Sequence, residues 1–427
     1  MPAYTFRQMN VRDSIPGRDD RVERSVRKAE EHVSRNSERS HPLRVVVVAH
    51  KPTWRSSFSK SGYATDGGFP LQMASLADAF GWLRILVPVS PDASCTGELP
   101  LTGPGLSVVP LSRVPGRGKW RKLLFSVWSL RNLPRIAHEV SRADAVHCLI
   151  PGDVGTLGIM VAWVLGKPMV VRHCGNWTRP RTLAERLWRW FMERMAGGRN
   201  VMLATGGGAE SPSARNPNVR WIFSSSLTLA ELVALRRARQ TRPPGRLRLV
   251  MVARQDRAKG GGVVIHSVPL LVKAFPQVQL DLIGDGPALA EYRNFAKNLG
   301  IIERIRFHGK LNHEQVIGRL QEADVFCYPT MASEGFPKVV LEALATGLPV
   351  VTTPVSVLPY LLKNGCGIVI EKADPELLAA AVLEVFATPG RYDQMSKLAI
   401  ETASKYSLEG WAAAIRDICL RAWTGGV

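Results

Sequence analysis

At 427 residues the chain is long enough for two domains with separate cores, and its 45% hydrophobic and 22% charged content is ordinary for a globular protein. Its six cysteines are scattered, with neither C-x-x-C nor zinc-like spacing, which excludes a disulfide scaffold and a zinc module. A formal charge of +20 calls for an anionic partner, while the absence of any D-x-D pair removes one common metal clamp, so no metal is expected.

Residues 1–43 are polar, of mixed charge and without the apolar run of a signal peptide, and are expected to form a disordered extension. From residue 44 onward short apolar runs alternate with helical segments. The runs 44–50, 83–89, 106–111, 145–150, 169–172, 201–204 and 219–223 read as strands of a parallel sheet covered by helices on both faces. The apolar stretch 146–171 is broken by Pro151, Asp153, Lys167 and Pro168, too interrupted for a spanning helix. After the first strand, Gly67-Gly68 leads into a helix expected over 71–80. Such a pair lets backbone approach a diphosphate, although it reads equally well as a flexible loop.

The positive charge is concentrated in the front half. Residues 44–245 hold 27 Lys/Arg against 11 Asp/Glu, and nine of the eleven Trp, whereas residues 246–427 hold 20 against 18. Arg117, Lys119, Trp120, Arg121 and Lys122 open a predicted helix in which four cations oppose the helix dipole, so local stability does not account for them. An anionic membrane surface or a lipid-linked pyrophosphate acceptor does, with Trp120, Leu124 and Trp128 expected at the interface. The stretch 181–195 reads instead as an amphipathic helix packed on its own domain, with Glu185, Arg189 and Glu193 as surface pairs. No nucleic-acid module accompanies the charge, so no nucleic-acid partner is expected.

Residues 233–245, polar and Pro-rich, read as an interdomain linker, and a second strand–helix series starts at Arg246. The apolar run Leu249 to Ala253 ends in Arg254, then Lys259-Gly260: two cations over a glycine-rich turn, a plausible phosphate grip or simply a solvated basic loop. A second strand exits through Gly284-Asp285-Gly286-Pro287. The most telling stretch runs from Ser333 to Ala345, where Glu334 and Glu342 lie eight positions apart. Gly335 permits a sharp turn and Pro337 suits a first helical position, so a helix N-terminus faces whatever binds there. Glu342 sits among apolar residues, where an unpaired carboxylate is costly unless it has a ligand or partner.

In order and spacing, Arg254 with Lys259-Gly260, Gly284 to Pro287, Phe307-His308-Gly309 and the Glu334…Glu342 pair resemble the back domain of retaining GT-B glycosyltransferases, family 4 in particular. The resemblance is strong over 246–381 and looser in the front half. It departs at Ala253, where the family usually has Gly, and at Pro337-Lys338, which replaces a commoner Gly-hydrophobic pair.

The resemblance implies an α/β protein of two Rossmann-like doubly wound domains facing across a cleft. Residues 44–232 would form the acceptor domain, 246–405 the nucleotide-sugar donor domain, and 406–427 a terminal helix crossing back to the front. It implies a UDP- or GDP-linked sugar as co-substrate, no other cofactor, and a glycan or lipid-linked acceptor. His173, Glu334, Arg254 and Lys259 take catalytic roles. Gly67, Gly68, Gly284, Gly286, Gly309, Gly335, Phe336, Pro337 and Glu342 line the donor site. A cytoplasmic enzyme held at the inner face of a membrane is the expected setting. A sugar-nucleotide 2-epimerase of similar fold and a non-catalytic polyanion-binding protein are the alternatives.

Overall fold

The computed structural model describes residues 43–91, 97, 99–114, 120–178, 180, 182–236, 246–332 and 334–423, without the side chains of Arg121 and Lys122. Residues 1–42 of the expected N-terminal extension and most of the expected linker lie outside the described residues, and Leu43 already belongs to the first strand.

The front domain carries β1 (Leu43–Val48), β2 (Thr53–Arg55), β3 (Tyr63–Thr65), α1 (Phe69–Phe80), β4 (Gly81–Ser90), β5 (Leu99–Pro100) and β6 (Leu106–Leu111). It continues through α2 (Arg121–Ser141), β7 (Ala145–Ile150), α3 (Asp153–Val164), β8 (Met169–His173), α4 (Leu183–Met195), β9 (Val201–Thr205), β10 (Val219–Ile222) and α5 (Leu229–Leu235). Its sheet runs β10-β9-β8-β7-β1-β4-β2-β3-β5, with β6 also on β4. The strands β1, β4, β6, β7, β8, β9 and β10 are mutually parallel. Val45 to Val48 are buried on both faces of β1, as a strand covered by helices on each side requires.

The back domain carries β11 (Arg246–Val252), α6 (Gly261–Leu271), β12 (Gln277–Ile283), α7 (Leu289–Asn298), β13 (Ile305–Gly309), α8 (His313–Glu322), β14 (Val325–Tyr328) and α9 (Lys338–Ala345). After these come β15 (Val350–Thr352), α10 (Leu358–Leu362), β16 (Gly367–Val369), α11 (Pro375–Val385) and α12 (Arg391–Ala403). Its six parallel strands run β13-β12-β11-β14-β15-β16, so strand order reverses between β11 and β14. In the front sheet the same reversal falls between β1 and β7. Such switch points leave crevices beyond the strand C-termini, where ligands bind in doubly wound folds.

The last helix, α13 (Leu408–Trp423), packs on α1 and on β9 and β10 of the front domain. Trp411, Ile415 and Cys419 are buried with Met73, Leu76 and Leu203 in one cluster. The Leu408 N–H donates to the Leu227 carbonyl at 2.8 Å, and Glu409 accepts from the Leu229 N–H at 2.8 Å, which ties the helix start to the chain leaving β10.

Three local expectations change. Pro337 is the residue before α9 rather than its first, because its ψ of 99° is extended. Trp128 is buried and donates to the Ser112 carbonyl at 2.8 Å, so it anchors α2 on the domain rather than facing a membrane. Glu193 is buried too, accepting from Ser213 at 2.9 Å and Arg189 at 3.0 Å, while Glu185 caps its own helix through Thr182.

Candidate active site between the two domains

The back wall of the site is built at the β11/β14 switch point. The chain leaves β11, makes a short 3-10 turn over Arg257–Lys259, and enters α6 through Gly260. Gly260 has φ +84°, and a Cβ there would collide with the Pro329 carbonyl, so only glycine fits. This turn delivers the Lys259 ammonium to Glu334 Oε1, which also accepts from the Tyr328 hydroxyl at 2.8 Å. Burial, and next the charge of Glu334, push the Tyr328 pKa up, so its proton stays in place as a donor. Two donors from adjacent central strands therefore fix the Glu334 carboxylate above the strand ends. Tyr328 carried no sequence signal beyond being an apolar strand's last residue.

Arg254 stands apart from this cluster. Its side chain is 71% exposed and pairs with Asp256 of its own turn at 3.1 Å. Gly284 and Gly286 serve packing: a Cβ at either would meet the backbone of Ala253 or Gln255, where the β11 exit passes. Gly309 accepts from the Gly284 N–H at 2.7 Å, and His308 is held by buried Asp281 at 2.7 Å.

From Glu334 the chain runs through Gly335, Phe336 and Pro337 into α9. Phe336 is buried against Phe223 and Tyr406, with ring centroids 6.4 and 5.8 Å away. Glu342, one face further along α9, is buried and accepts from the Ser226 hydroxyl at 2.6 Å, with His313 Nδ1 at 3.7 Å. Ser226 lies on the segment leaving the front domain, a partner that sequence spacing had no means to indicate.

The front wall centres on His173, which ends β8 with 3% of its surface exposed and packs edge-on against Trp177. Burial lowers its pKa, partly offset by groups that include Glu185, and the imidazole is neutral at physiological pH. The two walls touch here. A Cβ on Gly335 would come within 2.9 Å of the Cys174 carbonyl oxygen and 3.2 Å of that of Gly175. The structure thus brings together His173, Glu334, Gly335 and Lys259.

A second contact joins the walls through a residue that the sequence reading noted only as a departure. The Lys338 ammonium lies so close to Gly68 that a Cβ there would collide with it. One turn along α1, Gln72 accepts from both terminal nitrogens of Arg172 at 3.2 Å, and donates to Ser224 at 2.7 Å. Arg172 is buried over the Trp411 ring at 4.9 Å. Burial, then the charge of Arg172, lower the Lys338 pKa to about 8. No ion pair to a carboxylate is formed by Arg172 or Lys338 among the described residues. Gly67, by contrast, has nothing within 4 Å of its Cβ position.

Of the front-half basic set, Arg117 and Lys119 lie outside the described residues, as do the side chains of Arg121 and Lys122. Trp120 precedes α2 and is 71% exposed. Among the described residues no group of three His, Cys, Asp or Glu could hold a metal, and no helix is long and apolar enough to cross a membrane.

Residues 235–402 match the family Glycosyl transferases group 1. The chain has the GT-B fold. It is 25% identical to a phosphatidyl-myo-inositol mannosyltransferase of Mycobacterium leprae over 83% of this chain and 92% of that one. It is 34% identical to a D-inositol 3-phosphate glycosyltransferase of Corynebacterium efficiens, over 40% of this chain and only 41% of that protein. Among solved structures it resembles Anabaena HepE in complex with UDP and glucose (TM-score 0.61, 16% identity, 88% of this chain and 98% of that one). Sucrose-phosphate synthase from Thermosynechococcus elongatus is similar in fold (TM-score 0.64, 18% identity, 90% and 99% covered). The group 1 match is consistent with the family 4 resemblance, and it falls on the domain that holds Arg254, Lys259, Glu334 and Glu342.

Proposed function

We propose that this GT-B protein is a retaining transferase that moves a sugar from a UDP- or GDP-linked donor to a hydroxyl of a lipid-linked or cell-surface glycan at an anionic membrane surface. The observation that carries the reading is the meeting of the two walls. Glu334, fixed by Lys259 and Tyr328, lies on the turn that packs against the loop following His173.

As the bond between sugar and diphosphate breaks, negative charge grows on the departing phosphate. Lys259 and Arg254 stabilise it, with the backbone N–H groups around Gly335 and Phe336, and such electrostatic help is commonly the largest contribution to a transfer of this kind. Arg254 is free to do so because its only described ion pair is an exposed one within its own turn. Glu334 orients the sugar ring and Glu342 takes the ribose hydroxyls in exchange for Ser226. His173, neutral and fixed by its packing on Trp177, hydrogen-bonds the sugar. The departing phosphate takes the acceptor proton on the same face, which retains the anomeric configuration. No further cofactor enters.

The relative from Mycobacterium leprae, by its name, acts on a phosphatidyl-linked sugar alcohol, and HepE was solved with UDP and glucose; both support a nucleotide-sugar donor and a lipid-linked acceptor. Exposed Leu123, Leu124, Val127 and Leu130 on α2, with Met160, Trp163 and Val164 on α3, support a cytoplasmic protein held peripherally at the membrane.

The test is binding and slow hydrolysis across UDP-, GDP- and ADP-sugars, with Glu342→Ala and Arg254→Ala beside wild type. One donor hydrolysed to free sugar of unchanged anomeric configuration, and lost in both variants, is the expected result. Conversion of a donor to its epimer would favour a 2-epimerase, and no binding at all would end the reading.

A further inference from the structure

A second site lies in the front domain, away from the cleft residues described above. A cavity of about 590 Å³ opens between α2 and the C-terminal ends of β4 and β6, lined by Arg55, Tyr63, Ser112, Arg131, Asn132 and Arg135, among others. Among the described residues none that lines it is acidic, and none of its three arginines forms an ion pair. One wall is rigid. Asn132 donates to the Ser112 hydroxyl at 2.8 Å and accepts from the Ser112 N–H at 3.1 Å, which clamps α2 to the end of β6. Arg135 is steadied by the Pro110 carbonyl at 2.9 Å. Three arginines bordering a cavity with no carboxylate among its described lining residues suit a phosphate, which arginine grips through paired N–H groups.

The helix that supplies these arginines changes character along one face. Leu124, Val127, Arg131 and Arg135 follow each other at steps of three and four, so they lie along a single stripe of α2. Its first part is apolar and exposed, with Trp120, Leu123 and Leu130 beside it, and its second part is basic and borders the cavity. A phosphate in the cavity therefore sits at the end of an apolar track roughly 10 Å long from Leu124 to Arg131. That is the pattern of an amphiphile with an anionic head.

Position along the sheet separates this phosphate from the donor's. The strands β8, β7, β1, β4 and β6 are neighbours in that order and parallel, so their C-terminal ends share one edge. Three to four strand spacings, roughly 14–19 Å, lie between His173 and the cavity floor. A diphosphate whose bond to the sugar breaks beside His173 does not reach that far, so a phosphate bound in the cavity would belong to another substrate.

Resting on the transferase reading above, we propose that this cavity holds the phosphate of a lipid-linked acceptor, with the lipid chain along the apolar half of α2. The spacing makes that acceptor longer than a single sugar ring. A preceding transferase must then have placed sugar on the lipid phosphate before this protein acts.

The experiment measures equilibrium binding of monomeric dodecyl phosphate, inorganic phosphate and phosphatidylcholine vesicles to the full chain, with nucleoside diphosphate binding read in parallel. Dodecyl phosphate is expected to bind at least tenfold more tightly than inorganic phosphate. Arg131→Gln and Arg55→Gln, both at exposed side chains, should each weaken dodecyl phosphate at least fivefold and leave the nucleoside diphosphate affinity unchanged. Leu124→Ser with Val127→Ser should bring dodecyl phosphate down to the level of inorganic phosphate. Equal affinity for the two phosphates in the wild type would overturn the lipid assignment in favour of a soluble phosphorylated acceptor. Binding of phosphatidylcholine vesicles as tight as dodecyl phosphate, and indifferent to both arginine variants, would overturn the phosphate site in favour of plain membrane contact. Loss of nucleoside diphosphate binding alone counts against the transferase reading, and with it against calling the ligand an acceptor.

Discussion

Lys338 shows how far a single residue's chemistry depends on its surroundings. In sequence it follows Pro337 and reads as a helix-start lysine, yet its ammonium rests on Gly68 of the other domain, near Arg172 and Lys51. Burial is the main cause that lowers its pKa to about 8, with Arg172 next. In the unfolded chain the group titrates at its ordinary 10.5, so between about 8 and 10.5 the unfolded state holds the extra proton and stability rises with pH. Lys338→Met should therefore be more stable than wild type at pH 7, by about 1–3 kcal/mol. That difference should shrink toward zero above pH 10, and urea denaturation at a series of pH values checks it. Glu342 makes the complementary point. Its burial among apolar residues was legible as a demand for a partner, but Ser226, 116 positions away, was not. Ser226→Ala leaves the carboxylate without its shortest hydrogen bond, and a loss of about 1–3 kcal/mol in denaturation is expected.

The turn from Glu334 to Pro337 acts as a unit with the loop after β8. Its spacing was readable, because a glycine, an aromatic and a proline before an apolar helix announce a tight turn into an N-terminus. Its function as a contact across the cleft was not, since the opposing groups are main-chain carbonyls of Cys174 and Gly175. Backbone facing backbone leaves no side chain that can rotate away. Gly335→Ala must displace one wall by several tenths of an ångström, and we expect at least a tenfold loss of sugar transfer with a Tm change of no more than about 3 °C, roughly 1 kcal/mol. Donor hydrolysis beside thermal denaturation separates the two effects. The helix α2 was likewise half legible: its basic start was visible, but which aromatic faces outward depended on Ser112. That carbonyl claims Trp128 and leaves Trp120 and the leucines exposed.

Across the whole molecule, α13 closes the front domain's core with residues from the far end of the chain. Trp411 is fully buried there and carries Arg172 on its face. Trp411→Ala should cost about 3–5 kcal/mol by denaturation and weaken nucleotide-sugar binding, because Arg172 and Gln72 lose their support. The excess of positive charge in residues 44–245 also acts at this scale. Association with vesicles containing anionic lipid should fall steeply from 50 mM to 500 mM salt, as the screening length drops below the spacing of surface charges. Persistence at high salt would assign the contact to the apolar face of α2 and α3 alone.

Strand positions, the two-domain series and the charged pairs flanking glycine turns were all determined by the sequence itself, because they are set by local periodicity and by backbone freedom at particular residues. The strands β6 and β7 agree with their expected limits, and others differ by a residue or two at their ends. The partners of those charges were decided only by tertiary structure. Tyr328 on Glu334, Ser226 on Glu342, Gly68 beneath Lys338 and Trp411 beneath Arg172 are all matters of which strand ends and helix starts meet. Contacts of this kind join residues up to hundreds of positions apart, and neither propensity nor spacing encodes them. The arginine-lined cavity beside the middle of α2 is of the same kind, assembled from five separate stretches of chain.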